Sequence, residues 1–172
     1  MELMEGESLA ARLLRGPLAV AEAIQIALPM LGALEALHRR GLVHLDLKPS
    51  NIFLTPHGVK LLDFGLARHV AGGTDHADAT VTADGLVMGT PAYMAPEQLL
   101  GQPSDRRSDL FASGVVLFEM LVGKPPFGGD SGLRLSHAIL HERPPSLGGS
   151  SAIAAVDRII QRALAKRPED RS

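Results

Sequence analysis

The segment His44-Leu45-Asp46-Leu47-Lys48-Pro49-Ser50-Asn51 constrains this chain more than any other. Pro49 has no N–H to donate and pushes Lys48 away from helical geometry, so the segment is a turn between a long apolar stretch and a short one. An acid, a cation and a carboxamide are thereby held together in non-helical backbone. Asp46 can accept a proton from an attacking hydroxyl, Lys48 can neutralise a migrating phosphoryl group, and the Asn51 oxygen can ligate magnesium. An isolated aspartate is ordinarily a turn or cap residue. Lys48 and Asn51 beside it favour the outline of a phosphoryl-transfer loop.

Around this turn the pattern is mostly helical. Residues 8–15 read as a short helix with Ser8 as its cap, closed by Gly16-Pro17. Over residues 19–40, Val20, Ile24, Ala27, Leu31, Leu34 and Leu37 recur at helical spacing and predict one buried face of a long helix. Pro29 lies inside that helix and costs roughly 3 kcal/mol unless compensated. Arg39, Arg40 and Gly41 supply the charge and the stop of a helix end. Residues 51–54 and 59–62 are two short apolar strands around Thr55-Pro56-His57-Gly58, a hairpin that brings Asn51 and Asp63 together. Residues 109–121 are apolar on almost every face and predict a central buried helix, broken by Lys124-Pro125-Pro126-Phe127. Residues 133–141 and 153–165 are two further helices, separated by a loop rich in Pro and Gly.

Composition narrows the class. The 172 residues suffice for one domain with its own core, and with 45% hydrophobic but only 3% aromatic residues that core is built mainly from Leu, Ala, Val and Ile. A formal charge of -2, with no long charged block, gives no global attraction for nucleic acid or an anionic membrane. The absence of cysteine excludes disulfides and thiolate metal sites and suits a reducing compartment. The acidic start Met1-Glu2-Leu3-Met4-Glu5 is unlike a signal peptide, and the apolar run 110–122 is too short to span a bilayer and contains Glu119. The chain therefore reads as soluble and cytoplasmic, without a membrane segment.

Asp63-Phe64-Gly65 and Ala95-Pro96-Glu97 follow the first motif, and together the three resemble the C-terminal lobe of a bacterial eukaryotic-type (Hanks-type) protein serine/threonine kinase. The resemblance covers essentially the whole chain. It implies a mainly α fold, a helical bundle with a small β-hairpin at the catalytic site, and transfer of the ATP γ-phosphoryl to a Ser or Thr hydroxyl of a protein. It makes Asp46 and Lys48 catalytic and Asn51 and Asp63 the magnesium ligands. Glu2 and Met4, in the hinge, offer backbone groups to the adenine, with Phe53 as its apolar floor. Phe64 and Gly65 complete the Asp63 motif, and Thr90 bridges Asp46 and Lys48. Lys48-Pro49 and Gly89-Thr90 resemble serine/threonine more than tyrosine kinases. Glu97 and Arg171 form the ion pair that ties the activation segment, residues 63–97, to the end of the lobe. Asp109 accepts backbone hydrogen bonds from the catalytic loop; the plainer reading of the residue is a helix N-cap, a role compatible with the first.

Two departures from the family pattern stand out. Leu45 occupies the place of an Arg that in the family pairs with a phosphorylated activation-loop residue, which argues against control through phosphate on Thr74, Thr80 or Thr82. No G-x-G-x-x-G occurs, and the lysines are Lys48, Lys60, Lys124 and Lys166, none placed to be the strand lysine that pairs with a helix glutamate. The expectation is a partial kinase domain over residues 1–172, hinge and C-lobe without an N-lobe and truncated before the last helix, inactive alone. Alternatives are a non-catalytic C-lobe binding module, a decayed pseudokinase, and a small-molecule phosphotransferase. His69, Asp75, His76 and Asp78 form the best histidine cluster, without a recognised zinc spacing.

Overall fold

The computed structural model describes residues 5–62, 68–69 and 91–171. In chain order the elements are β1 (Glu7–Ser8), α1 (Leu9–Leu13), α2 (Val20–His38), β2 (Leu42–Val43), β3 (Ile52–Thr55), β4 (Gly58–Leu61) and β5 (Arg68–His69). They continue with α3 (Pro96–Leu99), α4 (Arg106–Val122), α5 (Gly132–His141) and α6 (Ser151–Ala163). Single 3-10 turns stand at Pro49–Asn51, Pro91–Tyr93 and Pro168–Asp170. The fold is thus mainly helical.

The organising helix is α4. Ala112, Val116 and Met120 face a cluster with Leu9, Ala23, Met30, Leu34, Leu47 and Ile52, drawn from α1, α2, the turn after β2 and β3. Phe111, Val115 and Phe118 face a second cluster with Phe127, Ile139, Ile160 and Leu164. Both rows run at helical spacing on different sides of one cylinder, which is why its sequence is apolar almost all round. The second cluster includes Phe111 stacked on Phe127 at 6.1 Å between centroids. Gly114 lets α6 approach, because a Cβ there would lie 2.8 Å from the Ala163 Cβ. Asp105 caps α4 by accepting from the Arg107 N–H at 2.7 Å. The expected capping role of Asp109 is therefore corrected: Asp109 lies one turn further in, fully buried.

The long helix forms as expected, with Ala27 and Leu34 buried and Val20 and Leu37 packed against the core, but Ile24 and Leu31 depart from the expected stripe. Ala23, Ile26, Ala27, Met30 and Leu34 are its buried residues, while Ile24 and Leu31 are each 38% exposed. Leu, Ile and Ala occur on every side of this helix, so periodicity alone admits two stripes, and packing against α4 and β4 selects between them. Pro29 and Gln25 both lie on the exposed side. The carbonyl of Gln25, which loses its helical donor to Pro29, thus belongs to an exposed residue, where hydration offsets the lost bond more readily than in the core. Among the described residues α2 is the helix long and apolar enough to cross a membrane, with a mean hydropathy of 1.5, and the run 110–122 is not. The inner face of α2 belongs to the core described above.

The hairpin is β3–β4, with Ile52 opposite Leu61 and Thr55 opposite Gly58. A third strand, β1, pairs antiparallel with β3 and was not evident in the sequence. It is admitted by Gly6 at φ 140°, where a Cβ would lie 2.0 Å from the Leu54 carbonyl oxygen. A separate two-stranded ladder joins β2 to β5.

Candidate active site

The turn after β2 is held from below by Asp109. Its Oδ2 accepts the His44 N–H and its Oδ1 the Leu45 N–H, both at 2.9 Å. The His38 Nε2, at the end of α2, lies 2.7 Å from Oδ2. One buried carboxylate thus fixes two successive peptide units and the helix that precedes them. Three donors compensate its desolvation, as a buried charge requires. The backbone role expected of Asp109 is met by this geometry, and His38 is a partner that sequence reading did not single out.

Leu45 has φ 63°, the left-handed region that a γ-branched residue adopts at a cost of about 1 kcal/mol. Asp46 follows, and its carboxylate receives Lys48 Nζ at 2.8 and 3.1 Å. Asn51 Nδ2 donates to the Asp46 carbonyl at 2.9 Å and to its Oδ2 at 3.0 Å. The three residues singled out from the sequence therefore converge. Lys48 and Asp46 remain partly exposed, whereas Asn51 is buried in the 3-10 turn that Pro49 begins. Leu47 points the other way, into the core with Ile52.

With its amide nitrogen committed to Asp46, Asn51 has its Oδ1 approached, among the described residues, by Ser50 Oγ at 3.4 Å. A hard oxygen with so long a bond, beside a carboxylate, fits magnesium, and Asn51 would be a ligand. Leu62 N–H donates to the Asn51 carbonyl at 2.8 Å, so the chain entering Asp63 is tied to Asn51. Asp63, Phe64, Gly65 and Thr90 themselves lie outside the described residues, as do Glu2, Met4 and Thr74, Thr80 and Thr82. The cluster of Asp75, His76 and Asp78 is outside as well. Phe53 sits half-buried on β3 between Ser8 and Lys60 of the flanking strands. Among the described residues no group of three or more metal-ligating side chains is gathered.

Glu97 and Arg171 meet as expected, through bonds of 2.7 and 2.9 Å. Ser108 Oγ also donates to Glu97 at 2.7 Å. Burial alone would push the Glu97 carboxyl up, but the bonds from Arg171 and Ser108 outweigh it and hold it below the ordinary range. Beside this pair, Tyr93 donates its hydroxyl to Glu119 Oε2 at 2.7 Å. Burial raises both groups, keeping Tyr93 protonated and making Glu119 a weaker acid than usual. This pair underlies the segment just before Ala95-Pro96-Glu97, and its one trace in the sequence is an acid inside an apolar helix. A larger cavity of about 810 Å³, lined by Leu18, Phe118, Pro125, Pro126, Leu147 and Ile153 among others, lies apart from Asp46, and Lys124 is the one charged side chain in its wall.

Residues 1–172 match the family described as the protein kinase domain. Serine/threonine-protein kinase Pkn1 of Myxococcus xanthus is 42% identical over 99% of this chain, which spans 25% of that protein. Serine/threonine-protein kinase PknL of Mycobacterium tuberculosis is 41% identical over 99% of the chain and 42% of its own length. Serine/threonine-protein kinase PksC of Streptomyces coelicolor is 40% identical over 99% of the chain and 32% of its own length. The chain thus spans less than half of each of these relatives. With the match running from its first residue to its last, this chain belongs to the protein kinase family.

Proposed function

We propose that this segment is the hinge and catalytic C-lobe of a protein serine/threonine kinase, which transfers the ATP γ-phosphoryl group to a Ser or Thr hydroxyl of a protein substrate. The observation that carries the reading is the Asp46 carboxylate bracketed by Lys48 Nζ at 2.8 Å and Asn51 Nδ2 at 3.0 Å. A carboxylate so held is aimed and accepts the acceptor hydroxyl's proton as its oxygen attacks. Lys48, already at the carboxylate, sits where negative charge builds on the transferring group. Asn51, its amide nitrogen engaged by Asp46, would hold magnesium through its Oδ1, and the ion would supply charge neutralisation for the phosphates of ATP. The peptide bonds to Asp109 keep these parts in place before substrate arrives, so little reorganisation remains for the reaction itself.

Preference for Ser and Thr rests on Lys48-Pro49, on Gly89-Thr90, and on the names of the relatives. The test is to join residues 1–172 to the N-terminal lobe of a related kinase and follow radiolabelled phosphate from ATP into Ser-, Thr- and Tyr-containing peptides. Transfer to Ser or Thr with none to Tyr is the expected result. No transfer in a folded, nucleotide-binding fusion would favour the non-catalytic module.

A further inference from the structure

We propose that Gln98 is a positioning residue for Asp46, clamping the peptide unit on which Asp46 hangs. The inference rests on the kinase reading above and adds a residue to it. Gln98 lies in α3, the helix that follows Ala95-Pro96. Its Oε1 accepts the Ala95 N–H at 2.9 Å, and its Nε2 donates to the Leu45 carbonyl oxygen at 2.9 Å. One partner is a donor and the other an acceptor, so only one orientation of the amide satisfies both. The side chain therefore reads the catalytic turn and the helix start at once, across 53 residues of sequence.

The peptide unit between Leu45 and Asp46 needs such a hold. Leu45 is the sole non-glycine residue at positive φ among the described residues, at 63°. Relaxation of that angle would rotate the peptide and swing the Asp46 side chain. On the nitrogen side of this unit the Asp46 N–H makes, among the described residues, a long bond of 3.3 Å to His44 Nδ1. On the oxygen side stands Gln98. The preceding peptide is fixed separately by Asp109 Oδ1 on the Leu45 N–H. Asp109 and Gln98 thus grip Leu45 from both ends, and the second grip comes from the segment bearing Ala95-Pro96-Glu97. The arrangement makes the orientation of Asp46 depend on that segment's being docked.

Two substitutions separate this role from ordinary helix capping. Gln98→Glu retains the oxygen that accepts the Ala95 N–H, and a carboxylate suits a helix N-terminus, but it presents a charge instead of a donor to the Leu45 carbonyl. Gln98→Ala removes both bonds. Amide hydrogen exchange, followed residue by residue by NMR on this chain, reads the consequence without any need for activity. The expected result is that Gln98→Glu keeps the Ala95 amide protected and the melting temperature unchanged, while the Asp46 amide exchanges about tenfold faster. Gln98→Ala exposes both amides. In the fusion with an N-terminal lobe, Gln98→Glu lowers kcat by about 100-fold with KM for ATP unchanged, as a misplaced base does. An Asp46 amide that exchanges at the wild-type rate in both variants overturns the clamp, whatever the activity. Absence of phosphoryl transfer in the unsubstituted fusion overturns the kinase reading and leaves the exchange result to decide the clamp alone.

Discussion

Arg171 places its guanidinium flat against the Glu97 carboxylate, with Nη1 2.7 Å from Oε1 and Nη2 2.9 Å from Oε2. The remaining N–H groups of Arg171 reach the carbonyls of Ala165, Arg107 and Lys166 at 2.7, 3.2 and 2.9 Å. Every donor of a buried cation is therefore used, and its Cζ lies 5.0 Å from the Phe111 ring centroid. This pair joins the start of α3 to the last described turn of the chain, and Gln98, next to Glu97, joins α3 to the catalytic turn. Through α3, Arg171 is thus linked by two side-chain contacts to the Leu45 carbonyl, one peptide bond before Asp46.

Arg171→Ala leaves Glu97 charged, buried and unpaired, and unfolding experiments in urea should show a loss of about 3 to 5 kcal/mol. Arg171→Lys should recover less than half of that, since an ammonium cannot make the two parallel bonds or reach the three carbonyls. Equal stability of the Lys variant and the parent would contradict the role given to the planar fork.

The Glu97 carboxyl has a folded value below its ordinary 4.5. Its contribution is therefore complete above that ordinary value and is lost as pH falls from 4.5 through the lower folded one. Stability curves against pH should show an acid-side decline in this window that shrinks in Glu97→Gln. An identical acid limb in both proteins would mean that other carboxylates carry it.

Lys166 answers to alkali. Its Nζ donates to the Ile139 carbonyl at 2.6 Å at the end of α5 and lies 3.9 Å from the Phe127 ring centroid. Burial, with the nearby charge of Arg171, lowers it from 10.5 to about 8. Between those values the unfolded chain holds the proton and the folded chain has released it, so stability rises with pH across the window. Relative to Lys166→Met, the parent should gain about 1 kcal/mol from pH 8 to 10.5, the figure being discounted for partial exposure. A flat difference between the two proteins would contradict it.

Leu45 bears on regulation. It cannot pair with a phosphate, so alanine at Thr74, Thr80 and Thr82 should leave the activity of the fusion nearly unchanged. A loss of tenfold or more, about 1.4 kcal/mol in the barrier, would show that another cation reads a phosphate there.

The catalytic turn was legible because its chemistry is local: Asp46, Lys48 and Asn51 meet within one non-helical segment, and Pro49 announces it. Helix α4 was legible because burial on all sides leaves its mark on every position. The inner face of α2 was legible only in part: Ala27, Leu34 and Leu37 lie on it as the spacing predicts, but Ile24 and Leu31 do not, because an apolar residue on the solvent side looks the same in sequence as one on the core side. The Glu97–Arg171 pair, 74 residues apart, could be read only through the family resemblance. His38, Gln98 and Lys166 escaped altogether. Their partners are a distant carboxylate or backbone carbonyls, and a bond to a carbonyl leaves no periodic or compositional trace at either end.

The most direct test of the account is Asp46→Asn in the fusion with an N-terminal lobe, measured for phosphoryl transfer to a Ser or Thr peptide and for nucleotide binding. Asparagine keeps the shape and, with its oxygen in the place of Oδ2, can still accept from Lys48 and Asn51, but it loses the charge and the second bond from Lys48 and cannot take the hydroxyl proton. Transfer should fall by at least about 100-fold while nucleotide affinity stays within about twofold. Full transfer in a folded Asp46→Asn protein would remove Asp46 from the chemistry and with it the central claim.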